Sequence, residues 1–161
     1  NCMVSVVQFF LEFTVEESCG KCAPCRIGNK RLHELLSQIT EGKGKMEDLD
    51  RLRNMSQVIK DTALCGLGQT SPNPVLSTLD NFMNEYVAHV KDKKCPAGKC
   101  KNLMEYYIIP ENCVGCTACA RVCPVNAISG QRKEVHTINP DVCIKCGACK
   151  EKCKFDAIII R

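Results

Sequence analysis

From Met3 to about Ser18 apolar residues fill most positions, Val4, Val7, Phe10, Leu11 and Phe13 among them, and the pattern predicts a helix covered on several sides. Pro24 suits the first position of a second helix, whose stripe of Ile27, Leu32, Leu35, Leu36 and Ile39 ends where Gly42 can close it. A third stripe, Met46, Leu49, Leu52, Met55 and Ile59, runs toward Cys65-Gly66. Asn73-Pro74 reads as the cap and first turn of a fourth helix with Val75, Leu79, Phe82, Met83, Tyr86 and Val90 on one face. Four amphipathic helices joined by short connections predict an antiparallel up-and-down bundle over residues 1–90. Residues 91–103 form a lysine- and cysteine-rich hinge, and residues 104–161 a second domain, so the expected class is α+β.

The second domain carries two copies of one cysteine pattern, 30 positions apart. Cys113, Cys116, Cys119 and Cys123 follow the order C-x2-C-x2-C-x3-C, and Cys143, Cys146, Cys149 and Cys153 repeat it in register. The flanks repeat as well, since Asn126-Ala127-Ile128 answers to Asp156-Ala157-Ile158. Three thiols spaced by two residues can wrap one side of a cubane [4Fe-4S] cluster, because a tight loop turns them toward a common centre. The fourth lies beyond that loop's reach. Two zinc knots or a disulfide framework are the competing accounts, although zinc usually takes pairs of ligands from separate loops and a third cysteine at the same step leaves one over.

The helical region repeats the spacing once more. Cys19, Cys22 and Cys25 stand in the connection after the first helix, and Cys65 in the connection after the third, which an up-and-down bundle places at the same end. Three local thiols and one returned by the fold make a further [4Fe-4S] site, with structural zinc as the alternative. Pro24 and Cys25 start the second helix there, so its free amides point toward an anionic cluster. At the opposite end Cys2, His89, Cys95 and Cys100 converge, about 25 Å away for some seventeen residues at roughly 1.5 Å of rise. Three thiols and one imidazole suit a structural zinc ion. The competing account makes Cys2 a small buried hydrophobe and Cys95 and Cys100 free thiols or a bridge. His33 in mid-helix and His136 on an expected strand read as structural or surface residues.

Composition narrows the class. Fifteen cysteines in 161 residues would suggest disulfides in a secreted chain, but no signal peptide pattern precedes them and triplets do not suit pairing, so a reducing cytoplasm is expected. The formal charge of +4 counts every thiol as neutral, and bound clusters would make the protein less basic. Aromatic residues are 5% and tryptophan is absent, which argues against a nucleic-acid surface. Gln8 and Glu12 interrupt the longest apolar run, Met3 to Phe13, so no membrane span is expected. The chain starts at Asn1 directly in an apolar helical pattern and reads as part of something longer. Nothing in it looks able to make or break substrate bonds: Gly66-Leu67-Gly68 follows a cysteine at a helix end and does not open a strand-to-helix turn.

The two cysteine runs resemble bacterial two-cluster ferredoxins over roughly Glu105 to Arg161. That resemblance implies crossed ligation, with Cys113, Cys116, Cys119 and Cys153 on one cluster and Cys143, Cys146, Cys149 and Cys123 on the other. Lys154 stands where the second run would often have proline, and its charge would raise the potential of a nearby cluster. The stretch Glu17-Ser18-Cys19-Gly20-Lys21-Cys22-Ala23-Pro24-Cys25-Arg26, with Leu64-Cys65-Gly66-Leu67-Gly68-Gln69, resembles the C-terminal bundle of the flavin-bearing, NADH-oxidising subunit of complex I. In that family the matching cysteines hold a [4Fe-4S] cluster that takes electrons from the flavin. The fused ferredoxin tail is similar to the β subunit of cytosolic NAD(P)-linked, electron-bifurcating [FeFe]-hydrogenases, and related formate dehydrogenase partners share the layout. The resemblance implies FMN and an NAD(P) site in an upstream part. It also implies a hydrogenase catalytic subunit and a thioredoxin-like [2Fe-2S] subunit as partners, with soluble ferredoxin as a further one. A free-standing electron carrier and a metal-stapled scaffold are the alternatives.

Overall fold

The structure is a computed structural model describing residues 1–160, and it divides into two compact units after Leu103. The first is helical. It comprises α1 (Met3–Glu17), a π-helical turn (Pro24–Gly28) running straight into α2 (Asn29–Thr40), α3 (Met46–Thr62), a short α4 (Gly66–Thr70), α5 (Asn73–Asn81) and α6 (Met83–Val90). Helix α1 lies against α2 and α5, and α3 against α2 and α5. Their shared core is built from Val4, Val7 and Leu11, Leu32, Leu36 and Ile39, Leu49, Leu52 and Ile59, Val75 and Leu79, and Tyr86 and Val90. Residues 91–103 belong to the same unit, because Cys95, Cys100 and Leu103 enter that core.

Three sequence expectations are corrected. Helix α1 is buried along one stripe, Val4, Val7, Leu11 and Thr14, while Phe9, Phe10 and Phe13 stay exposed, so it is not covered on several sides in this chain. The expected fourth helix is two, broken at Phe82 with φ −130° and ψ 31°. A straight helix would put Phe82 and Tyr86 on one face. The break lets Tyr86 bury completely, its hydroxyl 2.8 Å from Thr78 Oγ1, and leaves Phe82 41% exposed. Asn73 is the first helical residue, preceded by Pro72, and makes no side-chain cap.

The second unit begins at Met104 and is small and mixed. Strand β1 (Tyr106–Ile108) pairs antiparallel with β4 (Ile158–Ile160), and β2 (Ile128–Ser129) with β3 (Thr137–Ile138). Between them stand α7 (Ala118–Val122) and α8 (Ala148–Lys152), which pack on each other. Each short helix follows a residue in the left-handed region, Thr117 at φ 62° and Gly147 at φ 83°. Gly115 lies in the same loop because a Cβ there would come within 2.6 Å of the Lys133 and Glu134 backbone. The core is Ile108, Ile128, Ala157 and Ile158 with Cys119 and Cys149. Among the described residues no helix is long and apolar enough to cross a membrane.

Candidate metal centres

In the second unit strand pairing decides which thiols meet. Strand β1 leads into the first cysteine run and β4 follows Cys153, so their antiparallel pairing carries Cys153 to the first run. Strand β3 leads into the second run and β2 follows Cys123, with the reciprocal result. Two cavities form. One is lined by Cys113, Cys116, Cys119 and Cys153 under Ile108 and Ile158. The other is lined by Cys143, Cys146, Cys149 and Cys123 under Ile128 and Ile138.

In each set one buried thiol resists losing its proton. Burial pushes the Cys119 thiol up, with Cys113 and Cys116 adding to it, and burial does the same to Cys149, helped by Cys143 and Cys146. Gathered thiolates repel one another and lack water, and metal binding is what relieves both penalties. Backbone amides already point at sulfur: Ala127 N–H donates to Cys123 Sγ at 3.2 Å and Lys145 N–H to Cys143 Sγ at 3.4 Å. Four soft thiols in a small, mostly apolar cavity suit an iron–sulfur cubane.

In the helical unit the π turn carries Cys25 inward, where it is buried, while Cys19 and Cys65 stand exposed. A turn of this kind widens the helix locally, and it fits here because Gly28 touches α3: a Cβ would meet Ile59 at 2.6 Å. The Leu64 backbone, ahead of the Cys25 backbone, holds Cys22 below the usual thiol range, so the Leu64-Cys65 connection lies beside the loop of the other three thiols. Gly68 of α4 sits where a Cβ would be 3.2 Å from Cys25 Cβ. Arg26 ties the loop down through a 2.7 Å bond from Nη1 to the Gly20 carbonyl. Asn29 is a residue that sequence reasoning missed. It is fully buried, donates Nδ2–H to Cys25 Sγ at 3.4 Å, and accepts from Ser71 Oγ at 2.8 Å. Its signal in the sequence is position, one helical turn after Cys25.

The third group is Cys2, His89, Cys95 and Cys100, all buried, with their four donor atoms within 4.8 Å of one another. Cys2 Sγ lies 3.8 Å from Cys100 Sγ and 3.2 Å from His89 Nε2, and Cys100 Sγ lies 3.4 Å from the same nitrogen. Tetrahedral zinc with bonds of about 2.3 Å to sulfur and about 2.05 Å to nitrogen requires separations of roughly 3.8 Å and 3.6 Å. The set fits. Nδ1–H of His89 donates to the Glu85 carbonyl at 2.7 Å, which fixes the tautomer and leaves Nε2 for the metal. Without a cation the group holds a thiolate–imidazolium pair. Hydrogen bonding from Cys100 and His89, against burial, brings Cys2 down to about 4. Burial opposes the charged His89 ring, but the bonds to Cys2 and the Glu85 carbonyl prevail and lift it to about 9. Cys100 is pushed up by its bond to Cys2 and by burial. His33 is half-buried on α2 and joins none of these groups.

Comparison with known proteins agrees with this layout. The NADH-ubiquinone oxidoreductase-F iron-sulfur binding region matches residues 5–89, and the 4Fe-4S binding domain matches residues 106–129 and 136–159. The NADP-reducing hydrogenase subunit HndC of Solidesulfovibrio fructosivorans is 65% identical over 99% of this chain and 32% of its own length. One NADH-quinone oxidoreductase subunit of Streptomyces coelicolor is 41% identical over 63% of this chain and 23% of its own length. The chain thus spans a third or less of these relatives. Among solved structures, a NAD+-reducing [NiFe]-hydrogenase in the H2-reduced state matches with a TM-score of 0.54 and 30% identity, covering 56% of this chain and 16% of that one. With more than half of its residues inside the first match, the chain belongs to the NADH-ubiquinone oxidoreductase-F iron-sulfur binding region family and continues into paired 4Fe-4S binding domains.

Proposed function

We propose that this chain is the electron-relay segment of a cytoplasmic NAD(P)-linked oxidoreductase, holding three [4Fe-4S] clusters. One belongs to Cys19, Cys22, Cys25 and Cys65 at one end of a four-helix bundle, and two belong to the crossed sets of the second unit. The observation that carries the reading is the composition of the two cavities, each lined by three thiols of one run and the fourth of the other. Cubanes of this kind take up and release single electrons when bound. The chain's residues hold the thiols in place, exclude water with Ile108, Ile128, Ala157 and Ile158, and donate hydrogen bonds to sulfur from Asn29 and the Ala127 amide. Cys19, Cys65, Cys116 and Cys146 are exposed, so every set keeps one edge at the surface where an electron can enter or leave.

Cys2, His89, Cys95 and Cys100 hold a structural zinc ion that fastens residues 91–103 as a hinge. FMN and the NAD(P) site belong to further chain of the kind that the longer relatives have. The partners are a hydrogenase catalytic subunit and a thioredoxin-like [2Fe-2S] subunit, with soluble ferredoxin where the complex bifurcates electrons. The 65% identity to part of a hydrogenase favours hydrogen over formate as the coupled substrate.

Anaerobically prepared protein tests this by metal and sulfide analysis alongside electron paramagnetic resonance during a redox titration. Three reducible cubanes and one zinc ion per chain are expected. Zinc at the cluster cysteines, with no inorganic sulfide, would overturn it. Identifying the subunits that copurify with the full-length protein separates hydrogen from formate.

A further inference from the structure

In each cysteine triplet the third thiol is the one that folds inward: Cys25, Cys119 and Cys149 are 4%, 8% and 8% exposed. A sulfur buried to that degree is cut off from water, so the protein has to supply the hydrogen-bond donors for its anionic form. In the second unit the backbone does so, Ala120 serving Cys119 and Lys150 serving Cys149. In the helical unit two side chains do it. Asn29 Nδ2 lies 3.4 Å from Cys25 Sγ, and Ser18 Oγ lies 3.3 Å from the same sulfur.

The surroundings of Ser18 fix the direction of its contact. A hydroxyl has one hydrogen to give and two acceptor positions. The Gly20 amide, 3.4 Å away, donates to Ser18 Oγ, and a metal-bound thiolate can only accept, so the hydroxyl hydrogen goes to Cys25. The loop is held for this purpose. Arg26 Nη1–H bonds the Gly20 carbonyl at 2.7 Å, and Ser18 itself ends α1, which lies against α2. On the other donor, Asn29 Oδ1 accepts from Ser71 Oγ at 2.8 Å. Cys25 is thus gripped by two separate segments, the end of α1 and the first residue of α2.

We propose that Ser18 donates a hydrogen bond to the ligating sulfur of Cys25 and, paired with Asn29, raises the reduction potential of the cluster held by Cys19, Cys22, Cys25 and Cys65. The inference rests on the cluster assignment given above. Reduction adds negative charge that spreads onto the thiolates, and donors aimed at sulfur favour the more negative state. The cluster becomes a better acceptor of an incoming electron. Backbone amides come with the fold, whereas a hydroxyl and a carboxamide are choices of residue, so the potential of this one cluster is set by the identities of Ser18 and Asn29.

Redox titration of the anaerobically prepared full-length protein, followed by electron paramagnetic resonance, tests this in wild type, S18A, S18T and S18A/N29A, with the bundle cluster identified by its absence in C65S. S18A is expected to shift that cluster's one-electron equilibrium about threefold toward oxidation, about 28 mV, at unchanged iron content. S18A/N29A shifts it about tenfold, about 59 mV, and neither variant moves the clusters of the second unit. S18T keeps the hydroxyl on the extended backbone at this position and returns to within about twofold of wild type. An unchanged bundle potential in S18A, an S18T potential that stays with S18A, or equal shifts of all three clusters would overturn the proposal. Loss of the bundle cluster's iron from S18A would overturn it too, since Ser18 would then act by holding the loop. Wild-type protein without iron and sulfide at Cys19, Cys22, Cys25 and Cys65 would remove the cluster assignment itself, and the proposal with it.

Discussion

Replacing Cys100 by serine is the most direct perturbation of the four-residue group at Cys2. Its donors are buried between 0% and 9% exposure, and the separations among Cys2, His89 and Cys100 match a tetrahedral ion to within about 0.4 Å of the ideal, with Cys95 inside the same 4.8 Å limit. A hydroxyl in place of one thiolate leaves three thiolate or imidazole ligands and a weaker, shorter fourth side chain in a buried site. Zinc should fall from about one ion per chain to a small fraction. Removing one member of a buried charged group costs about 3–5 kcal/mol. For a unit of this size, Asn1–Leu103, that lowers the melting temperature by roughly 12 °C or more. Elemental analysis reads the first quantity, and thermal unfolding followed by helical circular dichroism reads the second. Chelated wild type and Cys100→Ser should then melt together. Unchanged zinc in the variant would refute the reasoning. A variant that melts well below chelated wild type would show that Cys100 acts by packing.

Three further outcomes are expected. Cys153→Ser should remove the cluster of the first cysteine run while the second run keeps its own, read by iron content and resonance spectra; loss confined to the second run would refute the crossing. Asn29→Ala should lower the potential of the bundle cluster by removing a donor from Cys25 Sγ, and it should cost only about 1 kcal/mol because Ser71 Oγ keeps the Gly68 carbonyl as acceptor; an unmoved potential would dismiss the role. Zinc-free protein should hold level stability from pH 6.5 to about 9 and weaken as pH falls from 6.5 toward about 4. His89, raised to about 9, contributes stability present below 6.5 and lost as pH rises through 9. Cys2, lowered to about 4, contributes stability present above 9.0 and lost as pH falls through 4. The folded pair and the unfolded chain carry equal charge between 6.5 and 9, which makes the plateau. Denaturant titration across pH checks it, and a maximum below pH 5 would contradict it.

Local pattern was enough for anything that one stretch of chain decides alone. Three thiols with two residues between each face one centre, and Leu32, Leu36 and Ile39 share a helix face, because both follow from the geometry of a few consecutive residues. The thirty-residue repeat likewise announced two equivalent sites. Tertiary structure decided what depends on the meeting of distant segments. Strand pairing brings Cys153 to a run that begins forty positions earlier, and helix packing brings Cys2 within 3.2 Å of His89. The break at Phe82 was hidden because a continuous apolar face reads the same whether the helix bends or runs straight; burial of Tyr86 with its hydroxyl on Thr78 chose the bend. The burial of His136, 1% exposed, was equally hidden, since a lone histidine beside a strand has no spacing to mark it and only the packing of distant neighbours covers its ring.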